Sequence, residues 1–129
     1  MLFTERYQNI FINYKVLEPF KDYLVFLGLE YEHKLFCSKY FNIEYIKTDS
    51  LKKIAEYMVG AKGVIGNQCG LFSLAECLKV PRILTTAEYF VYNNNVYPGP
   101  VNCHPSGGWN EVASTNEKLV CSIKEMLVN

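Results

Sequence analysis

The sequence predicts a three-layer α/β domain with a mainly parallel sheet. Three observations carry that prediction. Short apolar runs alternate with helical patterns along residues 20–85. Two of the runs, Tyr23-Leu24-Val25-Phe26-Leu27-Gly28 and Gly63-Val64-Ile65, are continuous rather than alternating, as in strands buried on both faces. The connections between elements are short, and strand–helix–strand order implies right-handed crossovers.

Residues 2–4 are a short apolar start that admits a strand, and residues 10–20 have room for one short helix ending near Pro19. The run 23–28 reads as a buried strand closed by Gly28, and residues 30–40 as a helix with Leu35 and Phe36 inward. Residues 43–46 form the next strand. Asp49 or Ser50 then caps a helix through Met58, with Leu51, Ile54, Ala55 and Met58 on its apolar face. Residues 63–65 give a third strand, 70–78 its helix, and 81–84 a fourth strand.

From 85 to 113 the pattern breaks into loop signals: Asn93-Asn94-Asn95, Pro98-Gly99-Pro100 and Ser106-Gly107-Gly108-Trp109. Within it, residues 89–92 offer a short edge strand. Ser114 and Glu117 have capping-box spacing ahead of a last helix at about 115–127. No repeat or linker divides the chain, so residues 1–129 read as a single domain.

Composition narrows the function classes. The chain has 129 residues, with 13 Lys plus Arg against 13 Asp plus Glu. A neutral chain lacks the basic footprint of nucleic-acid binding, so any anion must be held by local groups. No apolar run reaches the ~18 residues of a membrane span, and no signal peptide is visible at the start, so a cytoplasmic location is expected. The five cysteines are scattered, without C-x-x-C pairs. They read as free thiols, with Cys37, Cys77 and Cys121 packing as small hydrophobes on helices. No metal-ligand spacing accompanies His33 or His104.

The richest stretch is the turn Gly66-Asn67-Gln68-Cys69-Gly70, between a strand's carboxyl end and a helix. Ligands of open α/β sheets bind in that crevice, and the free N–H groups of a helix's first turn suit a phosphate. Gly66 and Gly70 allow close backbone approach, Asn67 and Gln68 offer amides, and Cys69 and Ser73 border the helix start. Glu76, further along, is positioned to accept from ribose hydroxyls or is an exposed helix residue. The turn lacks the G-x-G-x-x-G spacing and the P-loop Lys, so neither a dinucleotide cofactor nor a nucleoside triphosphate is implied. Arg6, after the first apolar residues, is a candidate phosphate clamp, with Tyr7 beside it. Gly28 opens a turn whose Glu30 and Glu32 touch a sugar or serve the helix N-terminus. Thr48 lies in the loop placed to contact a base. Two other classes stay open. One is a non-catalytic interaction domain presenting Tyr89, Tyr92, Tyr97 and Trp109. The other is a thiol enzyme built on Cys103 and His104.

The run from Val64 to Pro81 resembles the donor-binding motif of glycosyltransferase family 9, the ADP-heptose heptosyltransferase-like proteins. In that motif a strand enters a polar turn with Gly, then a helix ending in x-x-Pro before the next strand. Phe26-Leu27-Gly28-Leu29-Glu30, with Glu32 following, resembles the family's F-x-G-x-x-x-E strand end, and the helix from Leu51 to Gly60 its Leu-x-x-x-Ala helix. The resemblance covers roughly residues 20–85. It implies the carboxyl-terminal, Rossmann-like half of a GT-B glycosyltransferase, which binds a nucleotide sugar without a metal or other cofactor. Transfer then requires an acceptor domain, from a missing N-terminal domain or a partner chain. The donor-binding candidates become Arg6, Gly28, Thr48, Asn67, Gln68, Cys69, Gly70, Leu71, Ser73 and Glu76, with Cys69 and Gly70 at the diphosphate and Gln68 beside the donor. The family carries Asp where this chain has Gln68, and His where it has Ser73. Both departures count against heptose chemistry, and the resemblance leaves a hexosyl- or a heptosyl-type donor open. The resemblance points to no catalytic base.

Overall fold

The computed structural model describes residues 1–5, 8–85 and 108–128. It is a mixed α/β fold, and among the described residues the strand pairs are all parallel. β1 (Val25–Phe26) pairs with β2 (Glu44–Tyr45). β3 (Val64–Gly66), β4 (Arg82–Thr85) and β5 (Asn110–Ala113) form a second sheet in that order.

Residues 1–4 join the two sheets. The Met1 amino group donates to Val25 O at 2.8 Å, and Leu27 N donates to Met1 O at 3.1 Å. On the other side, Leu2 N donates to Ile65 O at 2.7 Å. Both registers rise together, so this segment runs parallel to β1 and β3. The lateral order is therefore β2, β1, residues 1–4, β3, β4, β5.

Adjacent residues of these strands face opposite ways, as the pleat requires. Phe3, Phe26, Ile65, Ile83 and Ala113 belong to one buried cluster, which also takes in Phe36, Leu119, Ile123 and Met126. Leu2, Leu27, Val64 and Leu84 belong to another, with Met58, Phe72 and Ala75. The first cluster holds an aromatic knot. Phe3 meets Tyr14 and Phe36 edge-on at 5.9 and 5.6 Å, and Tyr14 meets Tyr40 at 5.4 Å.

Helices α1 (Glu30–Lys39), α2 (Leu51–Gly60) and α3 (Gly70–Leu78) fall where the sequence places them. Ser50, not Asp49, caps α2 by accepting from Lys53 N at 3.2 Å. The last helix, α4 (Asn116–Val128), is capped by Thr115, whose hydroxyl accepts from Lys118 N at 3.2 Å. Ser114, the cap expected from sequence, instead gives its carbonyl to the Asn9 amide.

Other expectations are corrected. The segment expected as a short helix ending near Pro19 is a 3-10 helix, Tyr14–Tyr23, with Pro19 inside it. Tyr14, Leu17 and Phe20 repeat every three residues, which matches three residues per turn and turns this row to the core. Tyr23 belongs to this element, so the ladder of β1 is shorter than the apolar run. β5 lies inside the stretch 85–113 read as irregular. Its sequence, Asn-Glu-Val-Ala, is too polar to signal a strand, and only Ala113 is fully buried. Cys77 and Cys121 are exposed rather than packed, while Cys37 is half-buried. No described helix is long and apolar enough to cross a membrane. The suggested strand at 89–92 lies outside the described residues.

Candidate nucleotide-binding crevice

The carboxyl ends of residues 1–4 and of β3 sit side by side, and the polar turn 67–69 continues from β3. Asn67 is fully buried. Its Nδ2 donates to Thr4 O at 2.7 Å, and its Oδ1 accepts from Thr4 N at 3.0 Å. A side-chain amide here does the work of one more ladder residue. Expected as a ligand contact, Asn67 is therefore committed to holding residues 1–4 against β3. Gln68, the next residue, is 3% exposed.

Gly66 also serves the fold. A β-carbon there would lie 2.8 Å from Leu2 Cβ and 3.1 Å from Leu2 O, so the glycine admits the neighbouring backbone, not a ligand. Gly66→Val should cost about 1–3 kcal/mol through overpacking in urea denaturation. Gly70→Ala should change little, since a β-carbon at Gly70 would meet nothing within 4 Å.

Gly70 is exposed at the first residue of α3, and Cys69, Leu71 and Ser73 are half-buried around it. Ser73 N donates to Cys69 O at 3.1 Å, the first bond of the helix. Burial raises the pKa of the Cys69 thiol. The N–H groups of Leu71 and Phe72 oppose that rise, and the Glu32 carboxylate adds to it. The thiol stays protonated at neutral pH, so Cys69 is not an activated nucleophile.

At that first turn, Gly28 adopts φ +135°, a conformation that favours glycine. Its carbonyl accepts from Tyr45 OH at 2.8 Å. Glu32 reaches back to Leu29 N at 3.4 Å, so the helix-terminus reading of this carboxylate is the one realised. Thr48 follows β2. Three strand spacings separate it from β3, roughly 14 Å.

Glu76 departs from both readings given to it. It is neither exposed nor open to a ribose. It is 3% exposed and pairs with Arg82, the first residue of β4, which is 1% exposed. Arg82 Nη1 also donates to Val80 O at 3.0 Å. Sequence reading passed over two further residues near the crevice. Tyr14 is buried and shares a short hydrogen bond with Thr85 at the carboxyl end of β4. Burial raises the Tyr14 pKa, the Thr85 bond opposes this, and Tyr40 and Cys69 add to the rise. Thr85 was visible as a polar residue ending an apolar strand. Tyr14 carried no signal beyond its three-residue spacing.

The remaining candidates are less engaged or unplaced. His33 Nε2 lies 2.8 Å from Ile43 O and its ring stacks on Tyr45 at 5.0 Å, a packing role. Trp109, offered as a partner surface, is half-buried against the first cluster. Its carbonyl accepts from Arg82 N at 3.1 Å. Arg6, Tyr7, Tyr89, Tyr92, Tyr97, Cys103 and His104 lie outside the described residues. Among the described residues no group of three or more His, Cys, Asp or Glu is arranged to hold a metal ion. No protein-family model, curated protein or solved structure matches the chain.

Proposed function

We propose that the chain is a three-layer, Rossmann-like nucleotide-sugar-binding domain of the glycosyltransferase type, corresponding to one half of a GT-B enzyme. The observation that supports this most is the lateral strand order. With residues 1–4 counted as the first strand, the order reads 3-2-1-4-5-6, that of doubly wound nucleotide-binding sheets. In such sheets the ligand sits where the order reverses, between strands 1 and 4. Here that point is flanked by Thr4 and by the turn 67–70.

In this reading the buried Asn67 and Gln68 form the floor, and the open N-terminus of α3 receives the diphosphate. Gly70 leaves room for it, and the N–H groups of the first turn stabilise its charge without requiring a metal. Gly28 lies roughly two strand spacings away, about 10 Å, and Thr48 one spacing further. A donor would extend in that direction. Transfer would draw its acceptor site and base from another domain or a partner chain.

Thermal unfolding with a panel of nucleoside diphosphates and nucleotide sugars tests this. Ligand at ~100 times its dissociation constant should add about 2.7 kcal/mol. Gly70→Asp should abolish the shift. Its side chain enters open space and its charge suits a helix N-terminus, so the unliganded fold should be as stable or slightly more so. No shift with any member of the panel would reject the donor site and leave an interaction domain or a degenerate remnant.

A further inference from the structure

The apolar row of α2 extends past the core that it serves. Leu51, Ile54, Ala55 and Met58 stand at the spacing of one helical face. Met58 is fully buried, Ile54 and Ala55 are half-buried, and Leu51 is 60% exposed. Ile54 and Met58 pack into the cluster of Leu27, Phe72 and Ala75, so the row is turned towards the sheet and α3. Leu51 is therefore not on the outer face of the helix, which carries Lys52, Lys53 and Glu56.

α2 and α3 are neighbours on one side of the sheet. Each follows a strand and leads back to the start of the next, so both begin at the strands' carboxyl edge. Leu51 is the first residue of α2, and Gly70 the first of α3. Packed helices lie roughly 8–10 Å apart, so the two starts stand side by side across a gap that one nucleoside spans. They differ in chemistry. Ser50 caps α2 with its side chain, whereas α3 has no side-chain cap and opens on Gly70. The α3 end suits a charged group. The α2 end offers an apolar side chain, with Thr48 three residues before it and the half-buried Leu71 on the α3 side.

We infer that Leu51 is the platform for the base of a nucleotide whose diphosphate lies at Gly70, with Leu71 on the other side of the base. This rests on the donor reading above. It adds the residue that makes the crevice favour a nucleoside diphosphate over a bare diphosphate. The flat faces of a base are apolar, and sites that hold one clamp it between apolar or aromatic side chains. A leucine grips a base by contact area and not by hydrogen-bond pattern, so Leu51 is a specificity residue for nucleosides as a class.

Titration calorimetry of the full chain with pyrophosphate and with ADP, GDP, UDP and CDP tests the inference. At least one nucleoside diphosphate should bind tenfold or more tighter than pyrophosphate. Leu51→Gln should remove most of that advantage and leave pyrophosphate affinity unchanged. Leu51→Phe, with a wider apolar surface, should keep or enlarge it. Position 51 is exposed and Gln is a good helix former, so the fold tolerates the change, and circular dichroism checks both variants. Nucleoside diphosphates no tighter than pyrophosphate overturn the inference and leave the diphosphate site standing. So does an advantage that Leu51→Gln does not reduce, or an equal loss of pyrophosphate affinity, which marks a merely structural role. Failure of all these anions to bind rejects the donor reading itself and the inference with it.

Discussion

Replacing Glu76 by Gln should destabilise the fold by about 3–5 kcal/mol, the usual penalty for removing one charge of a buried ion pair. Arg82 is 1% exposed and cannot turn to water when its carboxylate is removed. Arg82→Met should cost a similar amount by removing the guanidinium that faces the buried Glu76 carboxylate. The double variant Glu76→Leu with Arg82→Met should recover most of the loss, because an apolar pair of similar volume avoids desolvating two charges. Urea denaturation of the three variants measures this. A double variant as unstable as either single one would place the cost in packing around Gly108 and Lys79, not in stranded charge. Gly108 adopts φ +70°, and a β-carbon on it would lie 2.5 Å from Lys79 O.

Between pH 8 and pH 5 the chain with a free α-amino group should lose about 3 kcal/mol of stability, because the folded amine holds its proton roughly a thousandfold less tightly than the unfolded one. Burial lowers the Met1 amine from 8.0 to about 5 in the folded state. Above pH 8 the amine is neutral in both states and nothing is lost. As pH falls towards 5 the unfolded amine takes up a proton that the folded one does not, and stability falls. Below about 5 the folded amine protonates too, and the slope from this group ends. Denaturation at pH 8, 6.5 and 5 measures the slope. Acetylation of the α-amino group should flatten it. An acetylated chain with the same slope would refute the assignment to Met1.

Much of the fold was legible before any coordinates. The apolar runs of β1 and β3 and the spacing of α2 and α3 carried their own identity, because parallel strands and amphipathic helices leave distinct periodicities. Residues 1–4 were harder to read. Their role in joining two sheets depends on partners 24 to 63 positions away, which local pattern does not encode. β5 escaped notice because an edge strand with polar residues looks like loop. At the site, the turn 66–70 was legible as a place but not in its parts. Gly66 has its space filled by Leu2, and Asn67 has its amide filled by Thr4. Both are tertiary facts about residues whose types suit a ligand equally well. Glu76 and Arg82 stand six positions apart with a helix end and a turn between them, so no helical spacing rule pairs them.

The place of residues 1–4 between two sheets also makes the middle of this protein detachable. Withdraw that one short segment and β1 and β3 each present a bare row of backbone donors and acceptors, facing one another across the gap. Exposed strand edges recruit whatever extended chain is at hand. The most concentrated candidate is the same segment from another molecule, already shaped for the slot and held by Asn67 through its amide. Strand exchange between copies would need no new contact, only release of this segment in each.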